Sequence, residues 1–399
     1  MDDAVEEGRA SRGVIALPPA LPARLWPDPG EIPEECQDFA EGLIGALGDI
    51  PFDESIARNL AGFIIESRGA FARNTFRALI ADLRVFSAWC RTTGVLPLPA
   101  TPATLARFID WAATTPRDET GALRMPGTID RYVFSIDWLH REAGVASPKE
   151  DRVVRYALRR MPRRRLVRSR QAPALNWAVI AEISAKLGHR LIDLRDRALL
   201  LTARDTGLRA SELVELRIED MTPVSVMGSP AAATILVRRA KRDQEGHGRE
   251  VALSHEALEA IGAWLEAAAA ALAGGATSGS ACPLLTEGPL FRSVDRHGRI
   301  GAVRLLEAGR ETALGTRDVA RIFNRLGSSA EAATRGAARF SAHSTRVGAA
   351  QDIFLEGADL IGVMHAMGWR DPRTAMRYLE RLMAARSPAT RRFVSRSRG

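Results

Sequence analysis

Cysteine is almost absent: the 399 residues hold three, Cys36, Cys90 and Cys282. Widely spaced and odd in number, they offer neither a disulfide framework nor a zinc-ligand pattern. They read as separate core or surface thiols in a reducing compartment. Tyrosine is as scarce, with Tyr132, Tyr156 and Tyr378 alone, and aromatic residues reach only 6%. No apolar run approaches the roughly 20 residues that span a bilayer. The opening MDDAVEEGRA has no basic region followed by an apolar one, so a secretory leader is not expected either. There is no GxxxxGK[ST] loop for nucleotide phosphates, no HExxH and no CxxC. Acidic residues form no motif for a pair of metal ions. No metal and no cofactor is expected.

Positive charge and helical periodicity are what the chain does have. Its net charge is +8 and its pI near 10.1, which suits a polyanionic partner, most simply nucleic acid. With 46% hydrophobic and 26% charged residues it is globular, and long enough for two cores. Residues 1–52 include the Pro-rich PALPARLWPDPGEIPEE and read as an arm or linker, with room for a short helix over Phe39–Leu47. From 53 to 160 helical patterns succeed one another without strand alternation. Thr75–Cys90 aligns Leu79, Leu83, Phe86 and Trp89, and further helices are expected over Thr101–Ala113, Thr128–Ala143 and from Pro148 to about Arg160. Tyr132 and Tyr156 fall on these helices and read as core aromatics. Eight arginines lie between 155 and 170, at the junction of two domain-like blocks. Residues 161–174 therefore read as a basic linker laid along phosphates.

The second block runs over 175–385. Helices are expected at Asn176–Leu187 and Leu191–Ala203, followed by DTGLRASEL, in which Gly207 breaks the chain before Arg209 and Glu212. Alone, that pair is a surface ion pair worth roughly 0.2–0.5 kcal/mol. The β-branched Thr234–Arg239 and the short Glu250–Leu253 flank a turn-rich connection that carries Lys241, so a hairpin is expected. An Ala-rich helix over Ser254–Leu272 and a capped helix over Arg317–Leu326 follow. Ser341–Glu380 divides at Gly357 and Gly368 into three short helices. His343 and Arg346 share one helical face, Trp369 follows a helix-ending Gly, and Tyr378 rides a helix opened by Asp371–Pro372.

TGLRASEL, the hairpin Lys, HSTR, GW and the later Tyr, in this order, make the chain resemble the tyrosine recombinases (the phage integrase family), most closely their Cre-like branch. The resemblance implies a mainly α fold. A helical core-binding domain would occupy 53–160, and a mixed α/β catalytic domain with a small antiparallel sheet 175–385. Together they would form a C-shaped clamp on DNA, with a basic tail over 386–399. It further implies a site-specific recombinase that cuts and rejoins DNA through a 3′-phosphotyrosine, without metal or cofactor. Arg209 and Arg346 match the phosphate-binding arginines, Glu212 the supporting acid and Lys241 the general acid. His343 matches the HxxR histidine and Tyr378 the nucleophile. Trp369 stands where most of the family has His; its indole N–H would donate a hydrogen bond to a phosphate oxygen but has no acid–base capacity, so any base role falls to His343.

By the same resemblance, DNA contacts are expected from Arg77, Arg84, Arg159, Arg163, Arg164, Arg165, Arg242, Arg317, Arg321, Asn324 and Arg325. Arg238, Arg239 and Arg249 are further phosphate candidates. The expected partner is double-stranded DNA with an inverted-repeat site, bound by a dimer on one site and a tetramer in the synapse. Leu379, Leu382, Met383 and Phe393 would reach a neighbouring protomer. The expected setting is cytoplasmic, on DNA, in a bacterial or phage-type context. The alternatives are a transposase-, resolvase- or topoisomerase-like strand transferase, and a catalytically silent DNA-binding protein.

Overall fold

Glu34–Leu47 forms helix α1, whose stripe of Cys36, Phe39, Ala40, Leu43 and Leu47 is buried. The first core therefore begins well before residue 53, with Phe39 stacked on Phe76 at 4.0 Å between ring centroids. The apolar spacing is helical from Cys36 onward, but the prolines just upstream mask it in a sequence window. The computed structural model describes residues 32–48, 53–67, 69–117, 119–164, 171–224, 232–238, 248–273, 285–300, 313–328 and 340–387. The chain divides into two units, Met1–Ser169 and Arg170–Gly399.

Helices α2 (Glu54–Glu66), α3 (Arg73–Thr93), α4 (Pro102–Thr114), α5 (Pro126–Glu142) and α6 (Arg152–Arg164) complete the first unit. Their starts follow from local chemistry. The Asp53 carboxylate accepts the Ile56 N–H at 3.0 Å, and the Thr101 hydroxyl accepts that of Thr104 at 3.1 Å. Phe108 sits at the middle of the core, with the rings of Phe86, Trp89, Trp111 and Tyr132 at centroid distances of 4.9–5.9 Å. Tyr132 is thus a core residue. Tyr156 is not: it is 50% exposed, because α6 buries the face of Val154, Ala157 and Met161 and turns Tyr156 outward among arginines. Helix α6 also continues past Pro162 to Arg164, into the stretch expected to be linker.

The second unit contains α7 (Trp177–Lys186), α8 (Leu191–Thr206), α9 (Ala210–Leu213), strands β1 (Met221–Pro223), β2 (Ala233–Val237) and β3 (Arg249–Leu253), then α10 (His255–Leu272), α11 (Thr316–Ser328), α12 (Ser344–Leu355), α13 (Leu360–Met367) and α14 (Pro372–Ala385). The strands form one antiparallel sheet in the order β1-β2-β3, with Ile235 opposite Met221 and Val251. Ala233, Ile235 and Val237 point inward from β2, as do Val251 and Leu253 from β3. Strand β1 carries too little pattern to be read in advance: three residues ending in a proline, tolerable only at a sheet edge. Helix α10 packs on α8, and the fully buried Trp264 donates from Nε1 to the Leu290 carbonyl at 2.8 Å. The protein is mainly helical with a small antiparallel sheet. Among the described residues no helix is long and apolar enough to cross a membrane, and no group of His, Cys, Asp or Glu could hold a metal ion.

A smaller second core in this unit joins α12, α13 and α14 through Ala349, Ala350, Val363, Met367, Ala375 and Leu379. Leu379 is fully buried there, so it packs its own unit and is not available to a neighbour, contrary to the sequence expectation. Met376 and Met383 lie exposed on the same helix.

Candidate active site

Helix α8 ends at Gly207, which adopts φ +56°, a left-handed conformation that favours glycine. A Cβ there would also meet Met367 Cε at 2.6 Å. The turn sets Arg209 at the N-cap of the four-residue α9. Buried Glu212 then grips Arg209 twice: Oε2 accepts its backbone N–H at 2.8 Å and Oε1 accepts Nη1–H at 2.6 Å. One carboxylate fixes both ends of the arginine while about a third of its side chain stays exposed.

Arg346 comes from the first turn of α12 and is 2% exposed. Its Nη1 donates to the Gly207 carbonyl at 2.5 Å and its Nη2 to the Met367 carbonyl at 2.9 Å. Both acceptors are neutral, so among the described residues the buried charge has hydrogen bonds but no ion pair. Burial first, and then Arg209, push its pKa down to about 10, against the pull of Glu212. The guanidinium is still charged at neutral pH and is oriented without being neutralised.

Helix α13 ends in a Schellman-type cap. Gly368, at φ +62°, donates to the His365 carbonyl at 3.1 Å, and Trp369 N–H donates to that of Met364 at 2.8 Å. This cap delivers the Trp369 ring beneath Arg346, at 5.3 Å from Cζ to centroid, and against Tyr378, stacked at 4.7 Å. Tyr378, on α14, hydrogen-bonds His343 Nε2 through its hydroxyl, and its carbonyl accepts from Gln351 Nε2 at 3.2 Å. Burial first, then Arg346 and Arg209, hold the His343 imidazole below its ordinary 6.5. Burial raises the Tyr378 phenol above its ordinary 10, with Arg346, Arg209 and Arg377 acting the other way. At neutral pH the imidazole is therefore neutral and the phenol protonated, so the hydroxyl donates and Nε2 accepts. The arrangement can move one proton from tyrosine to histidine beside two guanidinium groups.

The structure thus brings together Arg209, Glu212, His343, Arg346, Trp369 and Tyr378 from four elements: α9, α12, the cap of α13, and α14. Lys241, Arg165 and Arg242 lie outside the described residues, as do the side chains of Arg163 and Arg164, Cys282, Phe393 and the tail beyond Ser387. Arg77 and Arg84 are exposed on α3, Arg159 on α6, and Arg317 and Arg321 on α11, where Asn324 is half-buried. Arg321 pairs with Asp318 at 2.7 Å. Arg325 has an internal task instead: with Arg195 it donates to the buried carboxylate of Asp196, tying α11 to α8. About half of the Arg325 side chain stays exposed beside that pairing. Arg249, considered from sequence only as a phosphate candidate, packs against Gly368, and no spacing in the sequence signals that meeting.

A profile described as the phage integrase family matches residues 174–384. Among known proteins, the integrase/recombinase XerD homolog of Selenomonas ruminantium is 27% identical over 319 residues, covering 77% of this chain and 82% of that one. Recombinase Cre of Escherichia phage P1 is 24% identical over 351 residues, covering 84% and 93%. Among solved structures, XerH site-specific recombinase bound to a palindromic difH substrate aligns with a TM-score of 0.50 at 16% identity, covering 89% of this chain and 87% of that chain. The Tn1549 transposon integrase in complex with a circular intermediate DNA gives 0.50 at 12% identity, covering 81% and 94%. These two structures share the fold.

Proposed function

The chain belongs to the phage integrase family, and from that premise we propose that it is a tyrosine-type site-specific DNA recombinase. Arg209 and Arg346 take the two non-bridging oxygens of the scissile phosphate, where negative charge grows in the transition state. The Tyr378 oxygen attacks phosphorus while its proton passes to His343. The bond to the 5′ oxygen breaks, and Lys241 supplies that oxygen with a proton, which a lysine can release and an arginine cannot. Glu212 keeps Arg209 aimed, and the Trp369 ring supports Tyr378. The 3′-phosphotyrosine conserves the diester energy, so a 5′ hydroxyl from another strand reverses the step and rejoins DNA. The substrate is a duplex with an inverted-repeat site, held by a dimer on each site and a tetramer in the synapse. Trp369, in the position of the commoner His, favours the Cre-like branch over the Xer-like one.

The observation that carries this reading is the contact of Tyr378 with His343 beside Arg346, all within one chain. A nucleophile so held acts in cis. Incubation with fragmented genomic DNA, followed by denaturing capture, is expected to yield a covalent protein–DNA adduct that Tyr378→Phe abolishes. Sequencing the captured junctions identifies the site. An adduct that persists in Tyr378→Phe sinks the assignment.

A pH dependence follows as well. His343 works as a base only when neutral, and burial first, then Arg346 and Arg209, hold its pKa below 6.5. Cleavage is therefore expected to stay level as pH falls through 6.5 and to drop only at lower pH. Single-turnover cleavage between about pH 5 and 8 checks this against the ordinary histidine value. A midpoint at or above 6.5 contradicts the assigned role.

A further inference from the structure

Three guanidinium groups act on one another in this cluster, against the single carboxylate of Glu212. The reaction proposed above uses Arg209 and Arg346. The third is Arg249, the first residue of β3. Its guanidinium lies on the open face of Gly368: a Cβ there would stand 2.9 Å from Arg249 Cζ and 3.0 Å from Nε. Nη1 donates to the Ala366 carbonyl at 3.3 Å. Arg249 and Arg346 thus take successive carbonyls, Ala366 and Met367, at the end of the same helix.

Among the described residues Arg249 makes no ion pair, although it is half-buried. Burial and the nearby Arg209 both lower its pKa, with Glu212 opposing them. An arginine used only for packing is ordinarily paired when it leaves water. Gathering like charges around neutral acceptors weakens the free protein and becomes favourable when an anion enters. We infer that Arg249 is a third phosphate-binding guanidinium, contacting the scissile phosphate together with Arg209 and Arg346. This deepens the recombinase reading and rests on it for the identity of the anion.

Two measurements test it. In the first, inorganic phosphate is titrated against thermal unfolding of the full chain. The comparison is between wild type, Arg249→Gln and Arg58→Gln, the last removing one exposed charge on α2. The phosphate-induced rise in midpoint should survive Arg58→Gln and fall to less than half in Arg249→Gln; equal rises in all three overturn the inference. Arg249→Lys keeps the charge and should keep most of the rise, which guards against a folding defect in the glutamine variant. A lysine variant as unresponsive as the glutamine one also overturns it. This arm needs no cleavage, so it can support the anion site even if no Tyr378 adduct is ever found.

The second measurement compares cleavage of a scissile phosphodiester with that of a neutral methylphosphonate. Arg249→Gln should slow the diester about tenfold or more, on the scale of a lost charge-stabilising donor, and the methylphosphonate far less. Equal losses on both substrates would mean that Arg249 only props the end of α13, and would overturn the proposal.

Discussion

Arg346→Ala is expected to slow strand cleavage by about a thousandfold while leaving much of the DNA binding intact. Removal of one donor aimed at a developing oxyanion costs about 10²–10³ in rate, and Arg346 is a two-pronged, charged one. The stability effect is mixed. Alanine leaves the carbonyls of Gly207 and Met367 without their donor, at about 1–3 kcal/mol each. It also removes a buried charge that Arg209 and Arg249 repel. These contributions oppose one another, so the catalytic loss should far exceed any shift in unfolding midpoint. Binding should persist because the rest of the basic surface still meets phosphates. Cleavage assays and gel-shift titrations on the same duplex make the comparison; a rate within tenfold of wild type rules out the assigned role.

Gly348→Ala is expected to be the most damaging single methyl group in the second unit. Gly348 sits on α12, two residues after Arg346, where the chain entering the unit crosses the helix. A Cβ at this position would lie 1.8 Å from the Leu175 carbonyl oxygen and 2.3 Å from its carbon. The neighbour is backbone, held in place by Leu175 N–H on the Ser344 carbonyl at 2.9 Å and by Trp177 N–H on Asp352 Oδ2 at 2.7 Å. Nothing there can rotate aside, so the helix or the crossing segment must move. Overpacking of this severity costs about 3 kcal/mol or more. For a unit of this size that lowers the unfolding midpoint by roughly 10 °C. A displaced α12 carries Arg346 with it, so cleavage should fall even below the unfolding temperature. Calorimetry on Gly348→Ala, with Gly262→Ala as a control whose Cβ meets nothing within 4 Å, separates this clash from the general effect of replacing a helical glycine. A midpoint within about 2 °C of the control would show that the crossing yields.

Much of the local structure was legible because it depends on near neighbours. Asp53, Thr101, Asn176, Ser254, Asp359 and Asp371 each cap the helix that follows by accepting a backbone N–H. Gly207 and Gly368 end helices in the left-handed region, as their positions suggested. Where reading failed, the deciding contact was distant. The short helix expected over Phe39–Leu47 is present within α1, but its place in the first core is decided only where Phe39 meets Phe63 and Phe76. Tyr156 faces outward because Val154, Ala157 and Met161 outcompete it for the core, and Leu379 turns inward for the corresponding reason. The pairing of exposed Arg325 with buried Asp196 has no signal near it in the sequence.

By itself the sequence determined which groups this protein possesses: a tyrosine, a histidine and arginines in short phrases whose local spacing fixes turns, caps and helix faces. Tertiary structure decided which of those groups share an environment. It set Arg346 on two neutral carbonyls from different helices, laid Trp369 against Tyr378, and brought Arg249 from the sheet onto Gly368. The physical reason is range. Caps and helical faces are settled over three or four residues, whereas desolvation and charge coupling depend on what packs within a few ångströms, wherever it lies in the chain.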